Sequence, residues 1–112
     1  ALVSSNARRN VARSLGEARL ARFAAVECGS ALLGKAHRLR QVAQRCQVSI
    51  RQVVYVGDQQ ADGDAARRAG MAFAAVSWGY ASLDSLRQCQ PVRCLHQVED
   101  FLLLGSPTAR DA

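Results

Sequence analysis

The sequence predicts an α/β fold, a parallel sheet in a three-layer arrangement with flanking helices. Two observations carry this. Short apolar runs, one of them rich in β-branched residues, recur along the chain, and segments with apolar residues at three- and four-residue steps separate them. Strands that alternate with helices in this way build parallel sheets through right-handed crossovers. The chain has 112 residues, 49% of them hydrophobic, enough for one small domain with a modest core.

The elements follow in order. Leu2 and Val3 read as the end of a buried strand, and Ser4, Ser5 and Asn6 as a polar turn that can cap a helix. Residues 7–15 place Val11, Ala12 and Leu15 on one side and arginines elsewhere, with Gly16 as the stop. Residues 23–28 read as a second short strand, broken by Gly29 and Ser30. Residues 35–47 give the strongest helix pattern, with Ala36, Leu39, Val42, Ala43 and Cys46 on its apolar face.

Residues 52–56 are a β-branched, aromatic-containing run bounded by Gly57, which predicts a strand buried on both faces. Residues 65–69 read as a short helix closed by Gly70. Asp64 is its expected cap, and Asp62 is either a cap or a ligand. Residues 73–78 form another strand, residues 83–89 a helix capped by Ser82, residues 92–95 a last strand and residues 98–104 a last helix. One partial core over residues 1–104 and a flexible tail over 105–112 are expected.

Charge and cysteine usage narrow the function classes. The net charge is +6, and fourteen of the fifteen cations are Arg, Lys35 being the one Lys. The arginines lie along polar helix faces and aromatics are scarce, which argues against nucleic-acid binding. Cys28, Cys46, Cys89 and Cys94 show neither C-x-x-C nor zinc spacing, so reduced thiols serving as small core residues are expected. No apolar run approaches the roughly 18 residues of a membrane span. Arg8 and Arg9 follow the first apolar run instead of preceding it as in a signal peptide. The expectation is a cytoplasmic protein that engages no membrane.

The densest acidic cluster, Asp58, Asp62 and Asp64, directly follows the most strand-like run. In open parallel sheets, ligands bind beyond the carboxyl ends of the strands. Asp58, Ser4 and Lys35 each follow a predicted strand, so all three should stand on that rim. A hydroxyl, an ammonium and paired carboxylates suit Mg²⁺-assisted chemistry on a phosphate. Carboxylate oxygens are hard ligands, and Mg²⁺ is commonly held by one or two of them plus waters and phosphate oxygens. Lys neutralises a phosphoryl group as a point charge, and Ser and turn amides donate to its oxygens.

Four stretches then resemble the haloacid dehalogenase (HAD) superfamily of hydrolases, in its phosphoglycolate-phosphatase-like branch. "LVSSN" is similar to the family's second motif, "GSALLGKA" to its third, "VVYVGDQQADGDAARRAGM" to its fourth, and "AVSWGYAS" to the strand and loop that follow. The ordered match runs from Leu2 to about Leu104. The resemblance implies a Rossmann-like, HAD-like core and a phosphatase that acts through an aspartyl-phosphate. It implies that Ser4 and Lys35 are catalytic, that Ser4, Ser5, Asn6 and Lys35 bind the phosphoryl group, and that Asp58 and Asp62 bind Mg²⁺. Asp64 receives no role.

One departure is large. The family's first motif, a D-x-D on the first strand, supplies the nucleophilic aspartate, and no D-x-D precedes Ser4. The first-motif strand and the cap insertion are therefore expected to be missing from the sheet, and the chain to be a fragment, a truncated gene product or half of a two-piece assembly. Alone it is expected to be inactive, acting on a small phosphorylated substrate only when complemented by the missing half. The alternative is a non-catalytic Mg²⁺- and phosphate-binding module, or an interaction module that dimerises or pairs through an exposed sheet edge.

Overall fold

The structure, a computed structural model, describes residues 1–29 and 33–105. Ser30 and the tail beyond Gly105, for which a strand break and flexibility are expected, lie outside the described residues. The chain divides into two compact units, Ala1–Val48 and Ser49–Ala112.

In the first unit, β1 (Leu2–Val3) pairs in parallel with β2 (Val26–Glu27), Leu2 opposite Val26 and Val3 opposite Glu27. Between them run α1 (Arg8–Leu15), as expected over residues 7–15, and α2 (Glu17–Leu20), a helix that the sequence reading did not anticipate. Gly16 ends α1 as expected, but with φ 86° it also opens the next helix. β2 is shorter than expected because Phe23 belongs to the turn after α2, its amide bonded to the Leu20 carbonyl at 3.1 Å. α3 (Lys35–Arg45) buries Leu39, Val42 and Ala43. Cys46 caps this helix half-buried, not in the core. Arg45 forms an ion pair with Glu27, tying α3 to β2.

In the second unit, Ser49 caps a 3₁₀ turn at Ile50–Gln52, so the strand that follows starts later than expected. It is β3 (Val54–Gly57), and then come α4 (Gln60–Ala69), β4 (Ala72–Val76), α5 (Leu83–Leu86) and β5 (Arg93–Leu95). The sheet order is β3-β4-β5, all parallel. Ser82 caps α5 as expected, accepting from the Ser85 amide at 3.2 Å. The expected last helix is a 3₁₀ segment, Val98–Gly105.

Burial explains the order of this sheet. Ala74, Ala75 and Leu95 are fully buried, and Phe73 and Val76 nearly so. β4 is therefore the central strand. β3 is half-buried along its whole length, not buried on both faces, because it stands at the sheet edge and pairs on one side. The parallel sheets with flanking helices match the expected α/β class. Among the described residues the strands form two sheets rather than one. No described helix is long and apolar enough to cross a membrane.

Candidate functional site

Asp58 is the first residue after β3, at the carboxyl end of the strand. Its side chain is half-buried and well anchored. Oδ2 accepts from the Tyr80 amide at 2.9 Å, and the Asp58 carbonyl accepts from the Ala81 amide at 3.0 Å. The loop after β4 is thus fastened to Asp58 at two points. Among the described residues, Oδ1 of Asp58 accepts no hydrogen bond.

Asp62 is 6% exposed and makes a different set of contacts. Oδ2 accepts from the Asp58 and Gln59 amides, both at 3.2 Å, and Oδ1 accepts from the Tyr55 hydroxyl at 3.3 Å. The first two bonds cap α4, where the helix dipole favours an anion. They also fix the backbone of Asp58 itself. The Tyr55 hydroxyl is held well above its ordinary pKa, first by burial and then by the charge of Asp62. Asp64, the expected cap, is exposed in the body of α4, because the helix starts at Gln60 instead of residue 65.

Ser4, Ser5, Asn6 and Lys35 belong to the first unit, at the carboxyl end of the β1–β2 pair. The Ser4 amide extends the ladder to the Glu27 carbonyl at 2.9 Å, and its Oγ accepts from the Asn6 amide at 3.1 Å. That hydroxyl therefore keeps its own proton for donation. The Asn6 carbonyl accepts from the Gly29 amide at 2.7 Å, joining the loops after the two strands. Ser5 is exposed in the same turn.

Lys35 opens α3, half-buried. One turn later Arg38 reaches the same loops, donating to the Gly29 carbonyl at 2.6 Å and the Ser4 carbonyl at 3.4 Å. The first turn of α3 and the Ser4 turn therefore share one rim. Sequence reasoning missed Arg38, Tyr55 and the Tyr80 amide. Arg38 stands three residues after Lys35, on the same helix face, which was a usable signal. Tyr80 left none, because its contact runs through the backbone.

The donor set suits a hard cation in part. No group of three or more His, Cys, Asp or Glu side chains converges for a metal among the described residues. Mg²⁺ needs fewer, taking one or two carboxylates and completing its shell with water and phosphate oxygens. Asp58 Oδ1 fits that lighter role directly. Asp62, with Oδ2 engaged in capping and Oδ1 accepting from the Tyr55 hydroxyl, stands behind it.

Residues 1–76 match the family model described as haloacid dehalogenase-like hydrolase. The chain is 34% identical over 102 residues to the phosphoglycolate phosphatase of Synechococcus elongatus, an overlap of 90% of this chain and 48% of that protein. Its fold is similar to that of a haloacid dehalogenase-like family hydrolase from Streptococcus pneumoniae. There the TM-score is 0.75 at 24% identity, over 88% of this chain and 46% of that one. The chain thus spans about half the length of these relatives.

Proposed function

Since the chain belongs to the haloacid dehalogenase-like hydrolase family, we propose that it supplies the phosphate-binding and metal-binding part of a phosphatase. The substrate would be a small phosphomonoester, with phosphoglycolate the first candidate because a relative bears that name. The observation that carries this reading is Asp58 at the end of β3, with one carboxylate oxygen tied down and the other open.

Each residue has a physical task. Ser4, its Oγ already accepting from Asn6, donates its hydroxyl proton to a phosphoryl oxygen. Ser5 and Asn6 shape that turn for the phosphoryl group. Lys35, at the positive end of α3, adds a second positive influence that neutralises the phosphoryl group and the charge developing on it. Asp58 would hold Mg²⁺, with Asp62 fixing the Asp58 backbone or assisting through water. When bound, Mg²⁺ would polarise the phosphoryl oxygens.

The nucleophile is not among these residues. The one D-x-D of the chain divides between Asp62, which caps, and Asp64, which faces solvent. Hydrolysis through an aspartyl-phosphate therefore needs an aspartate from elsewhere, and the 112 residues alone are proposed to be inactive. The proposed setting is the cytoplasm, where the four free thiols stay reduced.

The test is Mg²⁺-dependent phosphate release from an aryl phosphate, by this chain and by the chain joined to a polypeptide carrying a D-x-D strand. Release only by the joined form, abolished by Asp58→Asn, is expected. Release by the chain alone would assign it a nucleophile of its own and overturn the reading. A second reading, a non-catalytic module that pairs through a strand edge, draws on β1 and β3 each pairing on one side among the described residues. It predicts a stable dimer in light scattering and no turnover in either form.

A further inference from the structure

Asp58 is held by two kinds of contact, and only one of them comes from its own helix–strand junction. The other comes from the loop after β4, residues 77–81. Tyr80 offers its amide to Oδ2 at 2.9 Å, and Ala81 offers its amide to the Asp58 carbonyl at 3.0 Å. Between these donors and β4 stands Gly79. A Cβ built there would come within 2.7 Å of Asp58 Oδ2 and 2.8 Å of its Cγ. The Asp58 side chain, its Cβ nearest of all and its carboxylate beside it, thus occupies the space that any other residue at 79 would fill. The Tyr80 side chain takes no part in this, being 86% exposed.

We propose that Gly79 and the Tyr80 amide are the positioning element for Asp58, taking up Oδ2 so that Oδ1 alone is presented to a divalent cation. This rests on the reading of Asp58 as a cation ligand. The physical reason is rotational. A carboxylate at the end of a strand turns freely about its last torsion unless one oxygen is tied, and a tied carboxylate binds in one direction without a further ordering cost. The tie is a charge-assisted bond to a backbone amide, among the stronger hydrogen bonds available. It requires the backbone to approach closer than a side chain at 79 allows. The geometry also makes a sharp distinction between neighbours: Gly79 is required, whereas the Tyr80 side chain is dispensable.

The experiment uses the full chain with ¹⁵N-labelled amides, with and without Mg²⁺. Amide exchange is followed at Tyr80 and Ala81, with Ala74 and Ala75 in the buried strand β4 as the reference for global stability. In the wild type the Tyr80 amide should be protected, and in Asp58→Ala it should exchange freely. Gly79→Ala should lose Tyr80 protection, keep that of Ala74 and Ala75, and weaken Mg²⁺ binding roughly tenfold or more, as for other residues that orient a metal ligand. Tyr80→Ala should change neither. Equal Tyr80 exchange in the wild type and Asp58→Ala would overturn the proposal, as would full Tyr80 protection with unweakened Mg²⁺ binding in Gly79→Ala. If the wild type shifts no amide with Mg²⁺, the reading of Asp58 as a cation ligand falls, while the Tyr80 amide still decides whether the carboxylate is held.

Discussion

The two units carry their functional residues on different foundations. In Ala1–Val48 the strands are two residues long and half-buried, and among the described residues the buried side chains, Val11, Leu20, Leu39, Val42 and Ala43, come from helices. Ser4 therefore sits on a turn secured by a few polar bonds. In Ser49–Ala112 a three-stranded sheet has a dry centre at Ala74, Ala75 and Leu95, and Asp58 projects from the strand beside it. A site residue is only as fixed as the element that carries it. The difference teaches that Asp58 is placed by a core, and Ser4 by Arg38 and a short backbone ladder.

The largest expected effect breaks the dry centre. Leu95 is fully buried and packs with Ala74 and Val76. Leu95→Ala should cost about 2–5 kcal/mol, transfer and cavity terms together. For a small unit that is a large share of its stability. Protection of the Ala74 and Ala75 amides from exchange should collapse. Leu39→Ala in the first unit removes a side chain of equal size that is also buried. It should leave the Ala74 and Ala75 amides protected. Their loss in Leu39→Ala would show that the two units unfold together, and the comparison would fail.

A smaller change should act on the first unit alone. Arg38→Met keeps the stem of the side chain and removes the bonds to the Ser4 and Gly29 carbonyls. Hydrogen bonds from a charged group are worth about 1.5–3 kcal/mol each when well formed, and the longer contact to Ser4 less. The Ser4 and Gly29 amides should exchange faster while the Tyr80 amide keeps its protection. The matching change in the second unit is Asp62→Ala. It removes the cap of α4, for about 1 kcal/mol, and leaves the half-buried Tyr55 hydroxyl without its Asp62 acceptor. Here the α4 and Asp58 amides should respond and those of Ser4 and Gly29 should not.

Sequence and structure agree where local chemistry decides. The β-branched run before Asp58 gave its strand, and Ser82 gave its cap, because both signals act within three or four residues. They part where a distant contact decides. The sequence predicts a helix over 65–69 with Asp64 as its cap, whereas α4 starts at Gln60 and carries Gly63 inside it. Gly63 is tolerated inside the helix because Cys89 packs where its side chain would be, a Cβ at 63 falling 2.5 Å from the Cys89 sulfur. Nothing within residues 58–65 announces that partner. The same holds for β3, whose apolar run looks doubly buried although its place at the sheet edge leaves it half-exposed. Ser4 and Lys35 were legible as rim residues from the strand–loop–helix order, whereas Arg38 needed the structure to show which carbonyls it meets.

The smallest effects are pH-dependent and separate two carboxylates that do similar work at different depths. Asp62 is buried and faces Tyr55, whose hydroxyl holds its proton well above the ordinary value of 10.0 because of burial and the Asp62 charge. Below pH 10 the folded and unfolded chains both keep that proton. Above it the unfolded chain releases it first, so stability falls as pH rises. Tyr55→Phe should flatten that alkaline fall in a series of thermal melts. Asp100, on the surface, accepts from the His96 amide at 2.9 Å and the Gln97 amide at 3.3 Å, and the His96 bond is the main cause that lowers its pKa from 3.8. A lowered folded pKa means the contribution is present above pH 3.8 and is lost as pH falls through the folded value. Asp100→Asn should therefore lower the melting temperature slightly at neutral pH and converge with the wild type in acid. An alkaline fall unchanged in Tyr55→Phe, beside an acid convergence in Asp100→Asn, would show that capping alone matters at both sites and that depth adds nothing.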